Sequence, residues 1–390
     1  MNQTNSLIAA DNDEYWTYLS AHFPSSPAFI NLENGYCGVL AHPVLNALQR
    51  YQSEINSESS YFLRTRWKEQ LLLVKLALAK FCGVDSNELL ITRNLTESFA
   101  SYPHAYPFKI GDEIIYADID YDSVQQIVTN IAKAKKLALI RLSIANQALS
   151  DEDLVSLYEQ AITANTRIII LTHLLHRNGQ ILPVAKIAQM ARRHQVDVFV
   201  DAAHSFAHLD YQLPDLASDF VGVNLHKWLG APLGTGLLFI RRERLAEMSA
   251  TGASDIEELG FAGTFAPAPV LAIADAICFH QSIGTSNIEH RLRHLSQYWL
   301  QQLNQLPEIR QHTPDDPQRS CAIRAISIDG ISANEVVDYL MSEHQIFTVL
   351  RTIGEQDVVR ITPHVFTSKA ALDRLVMAIK KLVAIQRFNA

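Results

Sequence analysis

The sequence predicts an α/β fold: a mostly parallel sheet wrapped by helices, with a smaller α+β domain after it. Three observations predict this. Seven short apolar runs lie between residues 88 and 241. Most lack polar alternation, as expected for strands buried on both faces. Helical segments separate them, and alternating strands and helices are the pattern of a parallel sheet. After residue 267 the pattern changes to long helical stretches and a few short strands.

Residues 88–92, 112–119, 137–144, 167–174, 196–203, 220–225 and 235–241 read as the strands of a seven-stranded sheet. Segment 67–81, rich in Leu, Ala and Lys, reads as a helix closed by Gly83, because glycine accepts the left-handed conformation at a C-cap. Segments 123–136, 150–164 and 184–194 fit amphipathic helices, the last opening at Pro183, a residue suited to a first turn. Beyond them the sequence predicts one helical stretch over 270–306, strands at 322–328, 345–350 and 358–362, and a terminal helix at 368–387. The domain reading is an N-terminal segment, 1–60, packing with the small domain; a large domain, 61–267; and a small α+β domain, 268–390.

Composition excludes several classes. The 390 residues are 48% hydrophobic and 19% charged, an ordinary globular balance. A net charge of −8 argues against nucleic-acid binding, which needs a basic face. No apolar run approaches the length of a membrane span. The start, MNQTNSLIAADNDEYW, has no basic region before an apolar one, so a cytoplasmic location is expected. Cys37, Cys82, Cys278 and Cys321 are scattered and form no CxxC pair, so no structural metal or disulfide framework is expected.

The segment VDVFVDAAHSFAHLDYQLPDLASDFVGVNLHKWLGAPLGTG carries the chemistry. Asp201 sits where a buried parallel strand should end, the ligand side of an open α/β sheet. A carboxylate buried there needs a cation, and a protonated pyridine nitrogen is one. Lys227 lies after another apolar strand, beside Trp228 and Leu229. Desolvation disfavours an ammonium, so a lysine in such a pocket becomes an amine able to condense with an aldehyde. Alone, Lys227 would read as an ordinary exposed lysine; its combination with Asp201 decides otherwise.

These strings, NLHKWLGAP above all, resemble the class V aminotransferase superfamily of fold-type I pyridoxal-phosphate (PLP) enzymes. The similarity is greatest to its isopenicillin N epimerase-like and cysteine desulfurase-like groups. It runs in order over roughly residues 30–370. The resemblance implies PLP as cofactor, Lys227 as its Schiff-base lysine, Asp201 as partner of the ring nitrogen and His204 beside the phenolic oxygen. In ITRNLTESFASY it implies a phosphate-binding turn, with a helix N-terminus, the Thr96 hydroxyl and the backbone N–H of Leu95, where relatives carry a small or polar residue. An ordinary cap by Asn94 or Thr96 is the plainer reading of that turn. Asn224 and His226 match further phosphate contacts. Thr264, in GFAGTF, matches a turn that reaches the phosphate of a neighbouring subunit, which implies a homodimer with shared sites; a plain turn is the alternative. Tyr121 matches the residue stacked on the ring, where many relatives have histidine, and His173 a position near ring or substrate. His176 and Arg177, on the loop beyond, read as solvated rather than substrate-binding. Arg360 matches an arginine that clamps a substrate α-carboxylate, with Arg351 cooperating.

The reaction implied is chemistry at Cα of an amino-acid substrate, with Lys227 as general base. Transamination or epimerisation is the first expectation, and a C–S or C–C lyase is the alternative. Desulfurases carry an acceptor cysteine shortly before the carboxylate arginine. Here that stretch, TVLRTIGEQDVVRITP, has none, which disfavours persulfide transfer. A non-catalytic binder on the same fold would not need Lys227, Asp201 and Arg360 together, and no helix-turn-helix module of a DNA-binding regulator is apparent.

Overall fold

In the computed structural model, residues 8–24, 28–144, 149–249, 256 and 265–389 are described. A short strand, β1 (Ile30–Asn31), lies in the N-terminal segment. The seven apolar runs form β2 (Leu89–Thr92), β3 (Glu113–Ala117), β4 (Ala138–Leu142), β5 (Thr166–Thr172), β6 (Asp197–Asp201), β7 (Phe220–Asn224) and β8 (Gly236–Ile240). They make one sheet in the order β2–β8–β7–β6–β5–β3–β4. Only β8 runs against its neighbours. Successive side chains enter two separate cores. Ile169, Leu171, Val198, Val200, Val221 and Val223 face one, while Ile168, Ile170, Phe199 and Phe220 face the other. Burial on both faces is why most of these runs show no polar alternation; the edge strand β4 is only partly buried. This is the fold-type I architecture that the sequence predicts.

The helices between them obey local signals. Trp67–Cys82 ends on Gly83 at φ +74°. Asp151–Ala161 starts at Ser150, whose side chain accepts from the Asp153 N–H while Asp153 reaches back, a reciprocal cap. The predicted 270–306 stretch is two helices, Pro267–Ile283 and Thr285–Gln301, parted at Gly284 with φ +92°.

The C-terminal part adds β9 (Ile309–Gln311), β10 (Arg324–Ile328), β11 (Ile346–Phe347), β12 (Val349–Ile353) and β13 (Gln356–Ile361). Four of these form an antiparallel sheet, β12–β13–β10–β9. The expected single strand at 345–350 is therefore split: β11 pairs in parallel with β1, while β12 turns into the small sheet.

The cores divide at a different place from 267/268. Val270, Ile273, Ile277, Ile288 and Leu292 belong to the large core, because Pro267–Ile283 packs on His42–Glu58 and Trp67–Cys82. Leu295 and Trp299, one turn later, join Ile326, Val359 and Ile379 in the small core. The N-terminal segment also serves both: Leu32 is in the small core, whereas Trp16, Phe23 and Val44 are in the large one. Among the described residues, no helix is long and apolar enough to cross a membrane.

Gly179 marks a close approach of two distant backbone stretches beside the large core. Its φ is +74°, and a Cβ there would lie 2.0 Å from the Ile323 carbonyl oxygen. A left-handed alanine alone costs roughly 1–2 kcal/mol, and the clash with backbone adds to it. Gly179→Ala should lower the melting temperature by a few degrees or more, followed by circular dichroism. An unchanged transition would contradict this packing.

Candidate active site

The carboxyl ends of the parallel strands open on one cleft of about 620 Å³, where an open α/β sheet presents its ligands. Strand register decides which side chains enter. Thr172 pairs with Asp201, and Asp201 with Gly222. Thr172, Asp201 and Asn224 continue the face of Ile170, Phe199 and Phe220, and all three line the cleft. His173 continues the opposite face, because successive strand residues point to opposite sides. Its ring meets Tyr211 edge-on at 5.1 Å. The expected place of His173 beside the ring is thus corrected: the histidine of this loop that lines the cleft is His176.

Asp201 is buried, and its Oδ1 accepts from the Ala203 N–H at 2.9 Å. Burial pushes its carboxyl pKa up, while that hydrogen bond and the Lys227 charge oppose the rise. Burial pushes the Lys227 ammonium down from 10.5 to about 8, with Asp201 the main opposing charge. An amine so shifted is available as a nucleophile near neutral pH. Its Nζ lies 3.0 Å from His204 Nε2. Burial, then the Lys227 charge, holds His204 well below the usual histidine range, so its ring is neutral and Nε2 can accept from Nζ.

The backbone around this pair is held from several sides. His208 Nδ1 donates to the His204 carbonyl at 2.8 Å, and its Nε2 accepts from the Ala322 N–H at 3.2 Å. Trp228 lies between His208 and His364, at 3.7 and 5.6 Å between ring centroids. The Gly38 N–H donates to the His226 carbonyl at 2.7 Å. A Cβ on Gly38 would sit 2.1 Å from the Lys227 carbonyl oxygen, so only glycine fits there.

The anion end is built on the Leu95–Ala105 helix. Asn94 caps it by accepting from the Glu97 N–H at 2.8 Å. The Leu95 N–H donates to Asn224 Oδ1 at 2.8 Å, and the Leu95 side chain is buried. The expectation that Leu95 offers its N–H to an anion is therefore corrected: that donor is already used. Asn224, with Oδ1 engaged, keeps its NH₂ for a ligand. Thr96 lines the cleft at the positive end of the helix. His226 Nδ1 donates to the Thr235 carbonyl at 2.9 Å, leaving Nε2 as the nitrogen a ligand can meet.

The other end carries arginines. Arg360 is buried; its Nη1 donates to the His176 carbonyl at 2.7 Å, and Nη2 pairs with Glu33. Arg351 Nη2 lies 4.0 Å from the same Glu33 oxygen. Tyr121 meets the His176 ring edge-on at 5.1 Å. Before it, the buried Asp120 carboxylate accepts from the Ala117 N–H at 2.8 Å and the Thr172 hydroxyl at 2.6 Å; burial pushes its pKa up to about 7. Arg177 donates to the Thr352 carbonyl at 2.7 Å and pairs with Asp122. The solvated reading of His176 and Arg177 is thus corrected too, since both line the cleft and tie it to the small domain. Glu33, Gly38 and Asp120 escaped the sequence reading. The glycine-punctuated run NLENGYCG was the available signal for the first two. Thr264 lies outside the described residues.

These residues fit PLP: a half-buried, cleft-facing amine of lowered pKa for its aldehyde, a buried carboxylate for its ring nitrogen, and Thr96, Asn224 and His226 around a helix N-terminus for its phosphate. Residues 38–364 match the family described as Aminotransferase class-V. The chain belongs to the class-V aminotransferase family. It is 24% identical to an isopenicillin N epimerase of Streptomyces clavuligerus, over 94% of this chain and 98% of that protein. It is also 24% identical to a probable cysteine desulfurase of Halobacterium salinarum, over 90% of each. Among solved structures, a C-DES variant with glycine covalently linked to its PLP cofactor gives a TM-score of 0.82 at 25% identity, covering 92% of this chain and 97% of that one. The cystine C–S lyase C-DES with its product cysteine persulfide gives 0.80 at 25% identity, covering 91% and 98%. This class-V aminotransferase-family member is a PLP-dependent enzyme.

The lowered lysine pKa has a measurable consequence. The rate at which apoenzyme captures PLP should rise with pH through a midpoint near 8, the value for Lys227, because only the neutral amine attacks. Asp201 raises that pKa, so Asp201→Asn should move the midpoint lower. Stopped-flow absorbance reads both; a midpoint at the ordinary lysine value would overturn the assignment of a desolvated amine.

Proposed function

We propose that this enzyme acts at Cα of an α-amino acid, by transamination or epimerisation. The observation that carries the reading is Lys227, the single lysine among the described residues that line the cleft, with Nζ 3.0 Å from a neutral His204. PLP, when bound, supplies an electron-withdrawing ring that stabilises negative charge developing at Cα. Asp201 would pair with its ring nitrogen and favour the protonated form; Thr96, Asn224 and His226 would hold its phosphate, and Tyr121 lines the same cleft. Arg360 and Arg351 hold the substrate carboxylate and so aim the Cα–H bond. The Lys227 amine, oriented by His204, removes that proton as general base. Transamination lets the same amine return the proton to a neighbouring carbon. Epimerisation needs a second donor on the other side, a role open to Tyr121 with His176 behind it.

A second reading, C–S or C–C lysis, is supported by the likeness to a cystine C–S lyase and by the sequence of the β12–β13 hairpin. Residues 349–361 contain no cysteine, and elimination needs no acceptor thiol. Desulfuration is disfavoured on the same ground. Cys37, within reach of the Lys227 charge, has its thiol pushed up by burial and so is a poor thiolate.

A homodimer with shared sites belongs to the proposal. Leu72, Leu73 and Leu76 form an exposed apolar row on Trp67–Cys82, which water disfavours and a second copy would cover.

The purified protein should be yellow, with a band that borohydride abolishes, and Lys227→Ala should lose the covalent link. An unchanged band in that variant rejects the assignment. Incubation with single amino acids should give pyridoxamine phosphate or α-proton exchange; released sulfide or pyruvate instead would select the lyase reading. Leu73→Glu with Leu76→Glu should shift the sedimenting species from dimer to monomer, and an unshifted dimer would place the interface elsewhere.

A further inference from the structure

Glu33 places a negative charge at the carboxylate end of the cleft, and no step above uses it. It stands two residues beyond β1, is 7% exposed, and its backbone bridges to Thr362 beside β13. A single oxygen, Oε1, serves both arginines: it pairs with Arg360 Nη2, and Arg351 Nη2 lies at 4.0 Å. Its other oxygen, Oε2, is buried without a hydrogen-bond partner among the described residues. Arg360 is clamped besides by its bond to the His176 carbonyl, and a Cβ on Gly35 would stand 3.0 Å from its guanidinium. Arg360 therefore behaves as a fixed wall, held by the N-terminal segment and the 176 loop.

The charges in this corner are countable. Arg177 is matched by Asp122, so Arg360, Arg351 and Glu33 leave a net single positive charge, and it falls on Arg351, whose distance to the Glu33 oxygen is 4.0 Å. In this half-buried corner a charge without a counter-charge is less well compensated than in open solvent. A ligand group of charge −1 completes the set, whereas a dianion leaves one charge unmatched. The same three groups also reach the amine: Arg360 and Arg351 press the Lys227 pKa down, and Glu33 presses it up.

We propose that Glu33 sets the charge of the carboxylate subsite, making it selective for a substrate group of one negative charge, and holds Arg360 as its fixed wall. This rests on the assignment of Arg351 and Arg360 to the substrate carboxylate. Removing the Glu33 charge leaves a doubly positive subsite, which favours a dianion. Keeping the charge on a shorter side chain preserves the preference.

The test is calorimetric titration of the holoenzyme with propionate and with malonate, which lack an amine and so report binding without turnover. Glu33→Gln should raise the affinity for malonate relative to propionate by about tenfold or more, the scale expected for one added charge at close range. Glu33→Asp should keep the wild-type ratio. Arg351→Gln, at a more exposed position, should abolish propionate binding because the subsite then has no net charge; it keeps the test open should Glu33→Gln fail to fold. An unchanged ratio in folded Glu33→Gln, equal weakening of both ligands, or undiminished propionate binding in Arg351→Gln overturns the proposal. Failure of wild type to bind either probe overturns the arginine assignment itself, a result distinct from an unchanged ratio.

Discussion

The structure depends on a buried carboxylate, Asp201, and a half-buried amine, Lys227, that face one cleft and feel each other's charge. Neither Asp201 nor Lys227 is cheap to bury. Each makes the other tolerable, and each is shifted toward its neutral form by the same loss of water. The surrounding parts keep that arrangement. The sheet register brings Asp201 beside Thr172 and Gly222. His204 meets the amine, and His208 and Trp228 pack behind the two turns that carry them. The amine is left reactive because its partial loss of water favours the neutral form.

The cleft also has a wall that the sheet does not supply. The N-terminal segment passes over the lysine turn at Gly38, where the two backbones approach too closely for a side chain. It then delivers Glu33 to Arg360, on a strand more than three hundred residues later. The pairing of β1 with β11 is what holds this segment against the small domain. Three distant stretches of chain thus converge on the place where a substrate carboxylate would sit.

Much of the fold was legible. The seven apolar runs became the seven strands, because burial on both faces leaves a continuous apolar pattern in all but the edge strand β4. Gly83 and Pro183 punctuated helices where expected. The 270–306 stretch was less legible: both of its halves are apolar enough to read as one helix, and only the left-handed Gly284 parts them. The division of the cores within Thr285–Gln301 left no local mark at all, because it depends on which partner helix each turn meets.

For the site, the sequence by itself placed the two residues that the family resemblance turns into a cofactor site. An aspartate at one strand end and a lysine after another, each within apolar surroundings, suit a ligand that is both aldehyde and cation, which is what the family resemblance implies. Local sequence also held the clue that His173 points away, since its neighbours Leu171 and Thr172 alternate between faces. Only the tertiary structure decided that the Leu95 N–H is spent on Asn224, that His176 replaces His173 at the cleft, and that Arg360 is partnered by Glu33. The physical reason is range. Propensity, capping and periodicity act over a few residues and are written locally, whereas a hydrogen bond or ion pair between distant residues is specified by the whole packing of the chain and by no stretch of it alone.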